Sequence, residues 1–324
     1  MEPNRKQGPV ASDKSSIVAR LPNACRDERA AVEFMEEQRW GLEPFCPHCG
    51  TVGECYQMRD RKTGERSARS LWRCRACARQ FTVRVGTVLE DSRIPIMHWC
   101  LGFWLACSSK KGVSALQVKR LTGLSYKSAL FMMHRIRFAM GTDHGGAPKL
   151  SGTVEVDETY IGGKPRYKGT SKPGRGTSKP PVMVLIERGG EARPVQLKGR
   201  VGATTIPNTV RIHVDLASRL VTDELQAYIR VGREFAGGHH TVKHGRGEYV
   251  RGDVHTNTAE GFFSLLKRGL YGTFHSVSRK HLHRYLCEFE FRYNTRKIDD
   301  GARTAAAIKK ADGKRLTYKA QIIG

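Results

Sequence analysis

Nowhere in its 324 residues does the chain hold a run of about 18 apolar side chains, which excludes a membrane-spanning helix; it also lacks a long basic amphipathic stretch that would anchor on a bilayer. The first twenty residues, Met1-Glu2-Pro3-Asn4-Arg5-Lys6-Gln7-Gly8 onward, have no signal-peptide apolar core, so a cytoplasmic protein is expected. Acids are scarce: 31 Asp and Glu stand against 56 Lys and Arg, a formal net charge of +25. That excess is too large for ordinary surface solvation and points to a polyanionic partner, of which nucleic acid is the commonest. Nor do the nine cysteines suit a disulfide scaffold. They are odd in number and unevenly spread, and four fall in two close pairs, which fits a reduced compartment and one metal site.

What is present divides along the chain. Residues 1–20 read as a flexible basic arm. The region 21–90 begins with a short helix, started near Asp27 and running to Trp40, and continues into Cys46-Pro47-His48-Cys49 and Cys74-Arg75-Ala76-Cys77, two CxxC knuckles with 24 residues between them. Two thiolates per tight turn, twice, supply the tetrahedral sulfur set that zinc prefers, and the β-rich residues between them resemble a zinc ribbon. A redox role competes for a single CxxC, and the second one favours zinc. His48 and Cys55 read as incidental to the metal. Arg69, Arg73, Arg75, Arg79 and Arg84 could give the ribbon a DNA-facing side.

In the region 91–142, the apolar stretch Ile94 to Cys107, with Trp99, Phe103 and Trp104, reads as a buried helix rather than an aromatic nucleic-acid platform. Val113 to Ala129 then reads as two helices about a Gly123 turn, the second capped by Ser125 and continuing through Met132, Met133, Ile136 and Phe138. This is helix-turn-helix grammar, with Tyr126, Lys127 and Ser128 opening a candidate recognition helix and Arg135 further along it. Short helical hairpins imitate it often; the charge of the chain and the neighbouring ribbon favour DNA binding. Residues 143–148 form a Gly-rich break.

A catalytic region is expected over 150–296. Thr153 to Ile161 is a strand pattern in which alternation puts Glu155 and Asp157 on one face and Val154, Val156 and Glu158 on the other. An acid among apolar neighbours on a strand is costly unless compensated, and a bound cation is the usual compensation. The segment 164–180 holds six Lys and Arg, three Gly, three Pro and no acid, and reads as a mobile basic loop with Lys164, Arg166 and Lys168 as candidate phosphate contacts. Strands at Val182–Glu187 and Val195–Lys198 complete an antiparallel meander, and a short helix follows around Ile206 to Ile212. Arg219 to Tyr228 reads as a buried strand ending on Asp223 and turning into a helix, so that Asp223 is both a candidate catalytic acid and a candidate helix cap. His239, His240 and His244 lie on one more strand and its loop, as metal ligands or as neighbours of a substrate. Thr256 or Asn257 can cap a helix that carries Glu260, Ser264, Lys267 and Arg268, with Phe263, Leu266 and Leu270 on its inner side. A further helix spans Lys280 to Tyr293, and 297–324 reads as a basic surface tail.

Asp157, Asp223 and Glu260 thus stand out, with 65 and 36 residues between them. Phosphodiester cleavage and strand transfer use two divalent ions held by a few carboxylates, and hard oxygen ligands suit Mg²⁺ or Mn²⁺ rather than zinc. A lysine two helical turns after the last acid, Lys267, can meet the DNA backbone beside the scissile phosphate. On Val154-Glu155-Val156-Asp157-Glu158-Thr159-Tyr160-Ile161-Gly162-Gly163, His255-Thr256-Asn257-Thr258-Ala259-Glu260, Lys267 to Thr273 and Phe291-Arg292-Tyr293-Asn294, the chain from about Cys25 to Arg296 resembles bacterial insertion-sequence DDE transposases with an N-terminal zinc ribbon, the ISXO-two-like group. The resemblance implies an α/β fold with an RNase H-like catalytic core, a mixed sheet flanked by helices, behind the zinc ribbon and helix-turn-helix. It implies Asp157 and Asp223 as the first two Mg²⁺ ligands. Members carry Asn or Glu at the third place. This sequence offers Asn257 and Glu260, and the charge of two cations favours Glu260.

The implied reaction is hydrolysis of a strand at the transposon end and attack of the freed 3′-hydroxyl on target DNA, with no covalent enzyme intermediate. Double-stranded DNA, as ends and target, is the expected partner, in a homo-oligomer of at least two subunits. Three other readings compete. A nuclease or resolvase on the same fold leaves two end-recognition modules without a purpose. An inactive regulator predicts erosion of acids that are all present, and a zinc-dependent transcription factor leaves the second half of the chain unused.

Overall fold

A computed structural model describes residues 17–162, 177, 179–199 and 201–323. The basic loop 164–180, and with it Lys164, Arg166 and Lys168, lies almost wholly outside the described residues. The chain divides into two compact units, Met1–Ser108 with Asp299–Arg315 and Ser109–Ile298 with Leu316–Gly324. The Gly-rich stretch 143–148 is therefore a connection within the second unit, and the helical hairpin belongs to the unit that holds the large sheet.

In the first unit, helix α1 (Ile17–Ala24) begins inside the stretch expected to be an arm. Residues 17–20 are helical because Leu21 and Ala24 bury against α2 (Glu28–Trp40); residues 1–16 are outside the described ones. Helix α2 starts where Asp27 accepts the Ala30 N–H at 2.7 Å, and it stops at Gly41, whose φ of 64° ends the helical path. Strands β1 (Cys55–Gln57), β2 (Trp72–Cys74) and β3 (Gln80–Phe81) form a small antiparallel sheet backed by the ring of Trp40, which meets Trp72 and Phe81 edge-on. Helix α3 (Ile96–Ser108) buries Trp99, Cys100, Phe103, Ala106 and Cys107, so Trp99 and Phe103 are core, while Trp104 is half-buried. The C-terminal stretch corrects the expectation of a surface tail. Helix α10 (Asp300–Lys309), capped by Asp299, buries Thr304, Ala307 and Ile308 and packs on α3, with Arg303 donating to the Cys107 carbonyl at 3.0 Å. Small residues along one helical face make that return possible.

The second unit opens with α4 (Ala115–Thr122) and α5 (Tyr126–Met140). Ser114 accepts the Gln117 N–H and Ser125 the Ser128 N–H, and Gly123, at φ 72°, makes the left-handed turn between them. Strands β4 (Thr153–Tyr160), β5 (Pro181–Glu187), β6 (Ala192–Gln196), β7 (Arg219–Asp223) and β8 (His239–Val242) form a five-stranded mixed sheet in the order β6-β5-β4-β7-β8. The first three are an antiparallel meander, while β7 runs parallel to β4 and β8 parallel to β7.

One face of the sheet buries Val154, Val156, Met183, Leu185 and Leu220 under α6 (Thr205–His213) and α7 (Gln226–Gly232). The other buries Val182, Val184 and Ile186 under α8 (Asn257–Gly269) and α9 (Leu282–Asn294) through Phe262, Phe263, Leu266, Leu286 and Phe289. Each such side chain contributes about 1.5–3 kcal/mol, so the helices on both faces are fixed by the alternation of the strands. Helix α5 joins α9 through a buried ionic group: Arg137 Nε donates to Glu288 Oε2 at 2.6 Å, and Arg292 pairs with the same carboxylate. Burial alone would raise the Glu288 pKa, but Arg292 and Arg137 hold it below the ordinary range.

Candidate active site

The metal centre of the first unit is formed by the two knuckles. Cys46 Sγ lies 3.6 Å from Cys77 Sγ and Cys49 Sγ 3.7 Å from Cys74 Sγ, with all four sulfurs within 4.8 Å of one another and no disulfide among them. Sulfurs at Zn–S distances of about 2.3 Å on a tetrahedron are separated by about 3.8 Å, so the set fits a structural zinc. Cys55, opposite Cys74 in the register, stays outside the set, and burial pushes its thiol up to about 11. His48 turns its ring to the Gln80 carbonyl at 3.4 Å.

In the second unit the sheet parts at the acids. Strands β4 and β7 pair in parallel up to Glu155 opposite Val221; two residues further on each, Asp157 and Asp223 stand level where the strands separate. Carboxyl ends of adjacent parallel strands are where α/β sheets present their ligand-binding groups. Asp157 accepts the N–H of Glu158 at 2.8 Å, and Asp223 accepts that of Leu225 at 3.0 Å, closing the turn into α7 rather than capping its first residue. Glu158 faces the opposite side of the sheet, where it accepts the buried Tyr228 hydroxyl at 2.6 Å.

The third acid arrives through Glu155. This fully buried carboxylate accepts the backbone N–H groups of Thr258 at 2.8 Å and Ala259 at 3.1 Å, as well as the Thr258 hydroxyl at 2.9 Å. It therefore caps α8 in place of Thr256, whose side chain makes no cap bond. Arg188 Nε, 2.7 Å away, compensates the charge and also holds the carbonyls of Asp253 and His255. With the helix start fixed on the face of β4 that carries Asp157, Glu260 in its first turn comes close enough for its charge to act on Asp157.

The electrostatics register that proximity. Asp157 is pushed up to about 6, by burial first and then by the charges of Asp223 and Glu260; its bond from Glu158 and the nearby His244 oppose the rise. Uncompensated negative charge of this kind is what a divalent cation relieves, and an all-oxygen donor set suits Mg²⁺ or Mn²⁺. Among the described residues, only the four cysteines already lie at mutual ligand distance.

Glu260 is half exposed, with His244 Nε2 3.8 Å from its Oε1. Asn257, at the first position of α8, is exposed one turn earlier. Two turns on, the Lys267 ammonium lies 5.9 Å from the Phe263 ring centre, and Arg268 is exposed beside it. His239 is engaged with the Thr222 hydroxyl at 2.9 Å. Of the DNA-contact candidates on α5, Tyr126 and Lys127 are exposed, the Lys127 ammonium lying 5.2 Å from the ring of Tyr318 in α11 (Tyr318–Ile323). Ser128 is occupied with Ser125, and Arg135 is half-buried.

A family model described as ISXO2-like transposase domain matches residues 149–294, and one described as transposase zinc-ribbon domain matches residues 26–80. Over 284 residues the chain is 30% identical to a Halobacterium salinarum protein described as an uncharacterized protein in transposable element ISH50, covering 82% of this chain and 90% of that one. The chain belongs to the ISXO2-like transposase family. In this transposase the ribbon match takes in all four zinc-set cysteines, and the transposase-domain match runs from just before β4 to the end of α9, spanning Asp157, Asp223, Glu260 and Lys267.

Two features of the site depend on contacts that the sequence does not show. Glu155 was legible as a companion of Asp157 by strand parity, but the helix it caps lies 103 residues away. His244 was read, with His239 and His240, as a metal ligand or a neighbour of substrate, yet nothing local ties it to Glu260.

Proposed function

We propose that the second unit is an RNase H-like DDE core in which Asp157, Asp223 and Glu260 hold divalent metal for two successive phosphodiester exchanges on DNA. The observation that carries the reading is the level placement of Asp157 and Asp223 where parallel strands part, with Glu260 close enough to help raise the Asp157 pKa. The 3-2-1-4-5 order of the sheet, an antiparallel meander followed by two parallel strands, supports the fold.

Bound divalent ions would activate the attacking oxygen and stabilise the leaving one. The chain's own part is to hold that charge in a fixed place. Glu155 sets the start of α8, Lys267 two turns beyond Glu260 is placed to meet the backbone phosphate, and the net charge of +25 draws DNA in. In the first exchange a water oxygen bonds to phosphorus at the transposon end and the 3′-oxygen leaves as hydroxyl. In the second, that hydroxyl attacks a target phosphate and displaces its 3′-oxygen. The capped hairpin α4–α5 supports a helix-turn-helix reading, with Tyr126 and Lys127 at the exposed start of the second helix, and the ribbon would add phosphate contacts.

The test is incubation of the full chain with labelled duplex carrying the element's terminal repeat and a target plasmid. Nicked ends and joined products that require Mg²⁺ are expected; binding without nicking would put the inactive regulator ahead, and nicking without joining the resolvase.

A further inference from the structure

The segment between β8 and α8 lies beside the acids, and the reaction above gives it no task. Its first turn, at His244 and Gly245, is pinned to the elements that carry them. Glu224, the neighbour of Asp223, accepts the Gly245 N–H at 2.9 Å, and His244 Nε2 lies 3.3 Å from Thr256 Oγ1 and 3.8 Å from Glu260 Oε1. On this anchored turn the ring of Tyr249 packs edge-on against His244, centroids 5.4 Å apart, while 61% of Tyr249 remains exposed.

The strands that follow, β9 (Val250–Arg251) and β10 (Val254–His255), form a hairpin, and Arg251 ties it to the Thr241 carbonyl at 3.2 Å. Val250 beside the tyrosine is half exposed as well. Lys243, Arg246 and Arg251 are exposed within eight residues of Tyr249 on the same segment, and the one acid between them, Glu248, is 3.6 Å from Arg251.

An exposed aromatic ring backed by a second ring, on a segment with exposed cations and next to the acids, has the makings of a stacking site for an unpaired base whose backbone follows the cations. A duplex offers no free base face at its flank, so the base must leave the helix to reach the ring. We infer that Tyr249, backed by His244, is a stacking platform for one nucleobase turned out of the DNA end next to the scissile phosphate; this rests on the DDE reading of the neighbouring acids. Lys243 and Arg246 meet the phosphates on either side of that nucleotide. By holding the strand open at one nucleotide, the platform brings the phosphate to the acids without the rest of the duplex colliding with the hairpin.

The experiment uses the full chain and end duplexes carrying 2-aminopurine at either nucleotide flanking the scissile phosphate, with Ca²⁺ in place of Mg²⁺ to prevent cleavage. At one of the two positions, emission changes about twofold or more on binding wild type or Tyr249→Phe, and stays flat with Tyr249→Ala, which still binds. In Mg²⁺, Tyr249→Ala nicks fully paired ends about tenfold more slowly than wild type, and the two proteins nick at the same rate when that nucleotide is abasic. Equal emission from wild type and Tyr249→Ala, or equal nicking of paired ends, overturns the platform. So does an alanine variant that keeps both signals and loses only self-association, which marks the surface as a protein contact. Failure of wild type to nick any end sinks the DDE reading and takes the platform with it.

Discussion

Glu155 accepts the Thr258 backbone N–H at 2.8 Å, joining the middle of the central strand to the first turn of the helix that carries Glu260. A buried carboxylate at a helix N-terminus satisfies orphan donors and meets the positive end of the helix dipole. Here it also sets the helical acid in line with Asp157, two residues along the same strand face. In the proposed active site the glutamate is thus a positioning residue.

Glu155→Gln keeps the size of the side chain and removes its charge, leaving the Arg188 guanidinium without its partner. Stability falls by about 2–4 kcal/mol, measurable in a urea melt, and end nicking slows more than end binding weakens. A variant with wild-type stability and wild-type nicking would show that α8 needs no such anchor.

Asp157 yields a pH prediction. Its folded-state value of about 6 lies above the ordinary 3.8, so the fold favours the protonated form. The contribution is fully present below about pH 4 and is lost as pH rises through 6, amounting to about 3 kcal/mol in the metal-free protein. Above that range the Asp157 carboxylate is charged and ready for a cation. Added Mg²⁺ therefore raises Tm more at pH 7.5 than at pH 5, and Asp157→Asn removes the difference; an equal rise at both pH values would contradict the electrostatic account.

The ribbon depends on its zinc. The first unit's small sheet has strands of only two or three residues, too short to stand without a cross-link. Released-metal colorimetry on denatured protein should find about one zinc per chain, lost in Cys74→Ser and retained in Cys55→Ser. Cys74→Ser should also expose the ribbon to limited proteolysis. Zinc retained by the Cys74 variant would point to a different ligand set.

The buried Glu288 of α9 holds α5 through Arg137, while Arg292 of its own helix pairs with the same carboxylate. Glu288→Ala leaves both charges without their partner and costs about 3–5 kcal/mol, read as a shift in the chemical-denaturation midpoint. Replacing Arg137, Glu288 and Arg292 together by apolar residues costs less than the single change. If Glu288→Ala is neutral, water reaches the site and the group is not an internal bond.

The features readable in advance were those set by neighbours along the chain. Ser114, Gly123 and Ser125 define the α4–α5 hairpin within a dozen residues, and the CxxC spacing defines the metal set. The alternation of Val154, Glu155, Val156 and Asp157 gives both faces of β4 correctly, because side-chain period 2 holds wherever a strand is packed on both sides. The misreadings came from distance. The alanine-rich stretch 304–307 sits among bases and looks like a tail until α3 is there to receive it. The apolar α3 and the polar-capped α4 are consecutive in sequence yet go to different compact units, since Ser108 ends one packing pattern and Ser109 begins another. Asp223 looked equally like a cap and a site acid. It accepts the Leu225 N–H, closing the turn ahead of α7 without capping the helix, and its charge acts on Asp157.

The most direct test of the metal site is single-turnover nicking of pre-bound ends in Mg²⁺ by wild type, Asp157→Asn, Asp223→Asn, Glu260→Gln and Asn257→Ala. The account predicts that the two aspartate variants and Glu260→Gln bind the ends but nick at least about a thousandfold more slowly, while Asn257→Ala keeps most of the wild-type rate. An active Glu260→Gln beside a dead Asn257→Ala would move the third ligand one turn back along α8 and contradict the assignment.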